Sequence, residues 1–138
     1  PLALVEERCG WLRRRAYFLA EYLDAPDIAQ FFTQAILEHK KTVAHEVALL
    51  FYKLYLLKIS HGDCKATNIK LVNLKPVLID LDSLFAHTSA WQFKRKHVRD
   101  LKRLMRTWEL TSEAAVLLKQ AFVLKYNEED ILVLAGIV

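Results

Sequence analysis

HGDCKATNIK, residues 61–70, gathers a histidine, a glycine, an acid, a base and an amide into eight positions and then turns apolar. Polar groups this dense between hydrophobic runs need a reason beyond solubility. Asp63 can accept a proton from a hydroxyl, and Lys65 can neutralise a phosphoryl group in transfer. Asn68 offers an amide oxygen, a good ligand for a hard cation such as Mg²⁺. Asp80 follows twelve residues later at the end of an apolar run, with Asp82 two further on. A loop and a short hairpin can fold Asp80 back beside Asn68. An acid, a lysine, an amide and a second acid around one metal-bound phosphate is the set phosphoryl transfer needs, where protein supplies mainly position and charge. Taken singly, Asp63 and Asn68 also read as ordinary turn residues and Lys65 as a solvated charge.

The flanking sequence places this loop between a long helix and a small hairpin. Val43, Val47, Leu50, Leu54 and Leu57 recur at three- and four-residue spacing, which predicts a helix buried along one face and leading to Ile59-Ser60-His61. Before it, DIAQFFTQAILEH (27–39) reads as a short helix capped by Asp24 or Asp27 after a break at Leu23-Asp24-Ala25-Pro26. LALVEER (2–8) and RAYFLAEYL (15–23) read as extended segments joined around Cys9-Gly10, a β-hairpin. After the loop, IKLVNL (69–74) and KPVLIDL (75–81) read as two short strands turning at Asn73 to Pro76. The remainder is helical. Val98, Leu101, Leu104, Met105 and Trp108 form an apolar stripe, Ser112 caps EAAVLLKQAFVLKY (113–126), and Asn127 caps a last helix with Glu128, Glu129 and Asp130 in its positive first turn. The order predicts an α+β fold dominated by helix.

Composition bounds the rest. The chain has 138 residues, over half of them apolar and three of them glycine, a globular makeup for one domain. Its charge of +4 favours an anionic partner without specifying one. Cys9 and Cys64 lack metal-site spacing and read as reduced thiols of a cytoplasmic protein. His39, His45, His87 and His97 lack paired ligand spacing with His61, which argues against a metallohydrolase. The richest apolar run, VALLFYKLYLLKI (47–59), contains Lys53 and Lys58 and falls short of the ~20 residues of a membrane span. No basic-then-apolar leader opens the chain, and Pro1 at its start suggests processing or excision from something longer. The most basic stretch, KRKHVRDLKRLMR (Lys94 to Arg106), reads as an amphipathic helix for an anionic membrane surface or phosphorylated sugar, or as a solvated face. No nucleic-acid partner is expected, since no recognised motif accompanies it.

HGD-x-K-x-x-N followed by a strand ending in Ile79-Asp80 resembles the catalytic loop and metal-binding segment of the protein-kinase-like fold. Gly62 replaces the arginine of protein kinases, as in small-molecule kinases such as the aminoglycoside and choline phosphotransferases. The longer string SHGDCKATNIKL…PVLIDLDSL…RDLKRLMRTW resembles the bacterial lipopolysaccharide kinases, the Kdo and heptose kinase family, over almost the whole chain and most strongly over residues 60–108. The resemblance implies Asp63 as catalytic base, Lys65 as the γ-phosphate contact, and Asn68 and Asp80 as Mg²⁺ ligands. Asp82, in the place of the glycine of the DFG triplet, either assists the metal or caps the next turn. His61 would brace the loop, Asp100 would tie the following helix to it, and Glu21-Tyr22-Leu23 resembles the hinge that meets adenine.

The implied function is ATP- and Mg²⁺-dependent phosphorylation of a sugar hydroxyl of the lipopolysaccharide inner core. The implied acceptor is an anionic lipid-linked saccharide, or another small alcohol. The implied location is the cytoplasm, peripheral at the bacterial inner membrane, with contact through Lys94 to Arg106. The implied organisation is the end of a small lobe and hinge in residues 1–24 and a large lobe in 25–138, with catalytic loop 61–68 and metal-binding segment 79–83. The family's glycine-rich loop, strand lysine and helix glutamate lie upstream of the hinge. Residues 1–20 hold none of them, so the chain reads as a fragment lacking most of the small lobe. Two other readings stand: a kinase of this fold acting on another alcohol or a protein, and a non-catalytic kinase-like binding module.

Overall fold

A computed structural model describes residues 3–19, 22–126 and 129–138. Strands β1 (Ala3–Cys9) and β2 (Leu12–Leu19) pair antiparallel and are followed by helices α1 (Ile28–Gln34) and α2 (Leu37–Leu56). The short strand β3 (Ile59–Ser60) leads into the polar loop, which ends in a 3₁₀ turn at Ala66–Asn68. Strands β4 (Ile69–Val72) and β5 (Lys75–Leu78) form a second hairpin. A 3₁₀ turn at Leu81–Ser83 precedes β6 (Phe85–Ala86), which returns to pair with β3. Helices α3 (Ala90–Met105), α4 (Glu113–Lys125) and α5 (Glu129–Ala135) follow. Among the described residues this is an α+β fold with five helices and three two-stranded antiparallel sheets; the class is the expected one, and the pairing of β3 with β6 is an addition to it.

Turn chemistry sets both hairpins more tightly than expected. The first turns on Gly10-Trp11, with Gly10 at φ +62°, so β2 begins at Leu12 rather than Arg15 and ends at Leu19. The second turns on Asn73-Leu74, both at positive φ, which is the backbone a two-residue hairpin requires. Pro76 therefore lies inside β5 and not in the turn.

The expected helix over 27–39 is broken. Asp27 caps α1 through a reciprocal box, its Oδ1 accepting from Gln30 N at 2.9 Å. Ala35 and Ile36 are then extended, and Leu37 starts α2. The break lets α1 pack against β4 while α2 lies along α4 and β5, which one straight helix could not do. Along α2, Val43, Val47 and Leu54 are buried as expected, with Ala44, Ala48 and Phe51 beside them. Leu57, expected in the same stripe, is 65% exposed because it caps the helix where Lys58, at φ +53°, turns the chain away.

Ser89 and Ser112 cap α3 and α4 with their side chains. Asn127 and Glu128, the expected cap and first acid of the last helix, lie outside the described residues. The core joins Ile28, Phe51, Ile69, Leu101, Leu104, Leu118, Phe122 and Ile131 in one cluster.

His97 sits in that interior among Phe51, Tyr55, Phe93 and Tyr126, its Nε2 2.8 Å from the Tyr126 hydroxyl. Burial lowers its pKa from 6.5 to about 4, so the ring is neutral in the fold. The unfolded chain binds this proton more readily. The contribution is intact above pH 6.5 and is lost as pH falls from 6.5 toward 4, to a total of about 3 kcal/mol. Urea unfolding of His97→Phe across that window should show a flatter pH profile than wild type.

Candidate active site around the polar loop

Asp100 fixes the loop from beneath. It is buried on α3, and its carboxylate accepts from His61 N at 2.8 Å and from Gly62 N at 3.1 Å and 3.2 Å. Burial pushes its pKa up while the two backbone donors pull it down. Asp100→Ala would leave two N–H groups without an acceptor, so it should cost about 3 kcal/mol. Asp100→Asn, which keeps one acceptor oxygen, should cost less. Denaturant midpoints of the two variants check the order.

His61 ties the loop to the strand that follows it. The ring is fully buried, with Nε2 3.0 Å from Ile79 O and Nδ1 3.4 Å from Asp63 N. Since Asp63 N donates to Nδ1, the Nε2–H donates to Ile79 O. Ile79 N in turn donates to Asn68 O at 3.0 Å. This bracing role is the one expected of His61.

Asn68 is the joint between the two segments. Its Nδ2 donates to Asp63 O at 2.9 Å and reaches Asp80 Oδ2 at 3.3 Å. With the amide nitrogen so engaged, the amide oxygen faces away from Asp63 O. Asp80 has φ +58° and ψ +59°, a left-handed turn that aspartate tolerates better than most residues and that brings its carboxylate back toward the loop. Among the described residues no three His, Cys, Asp or Glu side chains cluster into a metal site. An amide oxygen and a carboxylate suit Mg²⁺ all the same, since it keeps water and phosphate oxygens as its other ligands.

Asp63 stands between two cations. Lys65 Nζ is 3.0 Å from Oδ2, and Arg103 Nε is 2.7 Å from Oδ1. The Arg103 contact is a close ion pair whose N–H is not aimed at the oxygen, so Oδ1 accepts no directed hydrogen bond. The Lys65 hydrogen bond, opposed by partial burial and helped by Arg103, holds the carboxyl below the usual carboxylate range. Its side chain is a quarter exposed, and that exposure excludes Oδ1, which is buried against Arg103.

Arg103 was not singled out in the sequence, where it read as part of a basic face. The usable signal was Asp100, since a residue three positions further along a helix shares its side. The basic stretch is in fact divided. Arg99 Nη2 donates to Gly62 O at 3.1 Å, Arg103 meets Asp63, and Lys94 pairs with Asp130. Lys65, Ala66, Thr67, Arg103, Arg106 and Thr107 line a depression of about 460 Å³ beside the loop.

Gly62 carries the closest approach. At φ +87°, it packs so that an added Cβ would lie 2.7 Å from Ser83 Cβ and 2.8 Å from Ser83 O. The loop therefore touches the turn after Asp80 directly. Asp82 is exposed on that turn and lies on the wall of a neighbouring cleft.

Asp63, Lys65, Asn68 and Asp80 thus come together. Leu23, half-buried, lies in an irregular segment that is fixed to β4 by Leu71 N donating to Pro26 O at 2.9 Å. Glu21 lies outside the described residues. Cys64 is buried and its thiol pKa is pushed up by that burial, so it is a packing residue, while Cys9 is exposed; both are free. Among the described residues no helix is long and apolar enough to cross a membrane.

A family model described as the lipopolysaccharide kinase (Kdo/WaaP) family matches residues 1–126. No curated protein matches the chain.

Proposed function

We propose that this chain, which belongs to the lipopolysaccharide kinase (Kdo/WaaP) family, carries the catalytic loop of an ATP-dependent phosphotransferase acting on a sugar hydroxyl of the lipopolysaccharide inner core. The observation that carries the reading is the Asn68 side chain, which bonds to the Asp63 backbone and reaches the Asp80 carboxylate at once. It joins the proposed base to the proposed metal ligand.

Asp63 orients the acceptor hydroxyl and takes its proton as the oxygen attacks the γ-phosphorus and the bond to the ADP oxygen breaks. The cations beside Asp63 keep it ionised and lower its proton affinity until Lys65 turns to the phosphate. Lys65 exchanges its contact with Asp63 for the γ-phosphate when nucleotide is present. Asn68 and Asp80 would hold Mg²⁺, with Asp82 assisting from the turn that follows. The metal, when bound, neutralises charge on the β- and γ-phosphate oxygens. Glu21 and Leu23 belong to the hinge that meets adenine. Residues 1–24 form the end of a small lobe with that hinge, and 25–138 form the large lobe. The acceptor is met at the cytoplasmic face of the inner membrane, with peripheral contact through the exposed part of α3.

ADP release by the complete protein, measured with a panel of acceptors, tests the assignment. Stimulation by deacylated inner-core saccharide and not by choline or an aminoglycoside is expected. Stimulation by one of those alcohols alone would overturn the acceptor, and no ADP release with any acceptor would overturn catalysis.

A further inference from the structure

Next to the loop lies a cleft of about 870 Å³, a volume suited to a small-molecule site. Gly62, the residue before Asp63, forms part of its wall, and Asp82 and Ser83 bring the turn after Asp80 to it. α3 supplies the rest of the charged wall, with Trp91, Arg95, Lys96 and Arg99. Trp91, Arg95 and Arg99 are spaced four apart and stand in one row, which continues to Arg103 at Asp63. The row therefore leads from the cleft to the proposed base.

The charge of this wall is unbalanced. Among the described residues no salt bridge engages Arg95, Lys96 or Arg99. Arg95 instead lies over the Trp91 ring at 4.8 Å, and Arg99 donates to a backbone carbonyl. Asp82 is the one carboxylate in the wall against three cations. Trp91 is 66% exposed, an indole face at the rim with the flat apolar surface that a sugar ring can rest on. Guanidinium groups with unused donors suit carboxylate or phosphate oxygens by geometry as well as charge.

We propose that this cleft selects the acceptor by an anionic group: a carboxylate or phosphate of the saccharide engages Arg95, Lys96 and Arg99 while its ring rests on Trp91. A hydroxyl of the same sugar is then presented along the row toward Asp63. The proposal rests on the phosphotransferase reading and assigns the cleft and the residues that select that site's acceptor.

Calorimetric titration of the complete protein tests it, with the sugar acid Kdo, glucose 6-phosphate and neutral glucose as probes and Mg·ATP titrated separately. At least one acidic sugar should bind wild type and lose tenfold or more in affinity to Arg95→Gln/Lys96→Gln, while Mg·ATP affinity is unchanged. Whichever of Kdo and glucose 6-phosphate binds identifies carboxylate or phosphate as the recognised group. Trp91→Ala should weaken the same sugar and also leave Mg·ATP unaffected. Equal binding of the acidic sugar by wild type and the double variant, equal binding of glucose, or binding of no acidic sugar would overturn the proposal. Failure to bind Mg·ATP with acidic-sugar binding intact would instead overturn the phosphotransferase reading and leave the cleft standing.

Discussion

Asp63→Ala in the complete protein is expected to lower phosphoryl transfer by roughly 10²- to 10⁴-fold while leaving Mg·ATP affinity within a few fold, the range general-base loss produces. The reason is the division of labour in the site. The Asp63 carboxylate meets Lys65 and Arg103, whereas Asn68 and Asp80 are the proposed metal ligands. Single-turnover rates alongside nucleotide titration separate the two effects. Wild-type-like turnover would rule out the base assignment. The pH profile gives an independent check. The Lys65 hydrogen bond and the Arg103 charge depress the Asp63 carboxyl, so the base is ionised at neutral pH and its acid limb lies below the ordinary carboxylate range. Arg103→Ala removes one depressing charge, and the acid limb should move to higher pH. An unmoved limb would mean that another group controls it.

Gly62→Ala should be nearly as damaging, for a different reason. Its positive φ alone strains any L side chain by roughly 1–2 kcal/mol. The new Cβ would also meet Ser83 Cβ at 2.7 Å and Ser83 O at 2.8 Å, and backbone cannot yield cheaply. Either the loop or the turn after Asp80 must shift, and a misplacement of about 1 Å at a reacting centre costs on the order of 100-fold. A stability loss of about 2–4 kcal/mol and a transfer rate down about 100-fold are expected. Gly10→Ala is the control. Gly10 also has positive φ but no atom within 4 Å of its would-be Cβ. It should lose about 1 kcal/mol and no activity. The same contact accounts for a glycine where protein kinases carry arginine: no side chain fits between this loop and Ser83.

The spacing of HGDCKATNIK and Asp80 was readable because a four-residue hairpin arm on each side leaves few ways to place Asp80 other than beside Asn68. Long helices were readable for a similar reason, since Val43, Val47 and Leu54 or Leu101, Leu104 and Met105 repeat often enough to define a face. What was not readable had no repeat. Strands β3 and β6 are two residues each, too short for alternation to appear, and only their pairing fixes Ser60 beside Phe85. The break at Ala35-Ile36 carries no glycine or proline, and tertiary packing of α1 and α2 against different partners decides it. Arg103 and Arg99 read as part of one basic face, for an anionic partner or for solvent, because charge alone does not reveal which side of a basic helix meets an acid. That distinction needed the position of the loop relative to α3.

The most direct test of the account follows the γ-phosphate itself. The complete protein is incubated with ATP, Mg²⁺ and deacylated inner-core saccharide, in parallel with an Asp80→Asn variant that folds alike, and the saccharide is weighed by mass spectrometry. The account predicts a saccharide heavier by one phosphate with wild type and an unmodified one with the variant. Equal phosphorylation by both, or none by wild type while ADP accumulates, would contradict it.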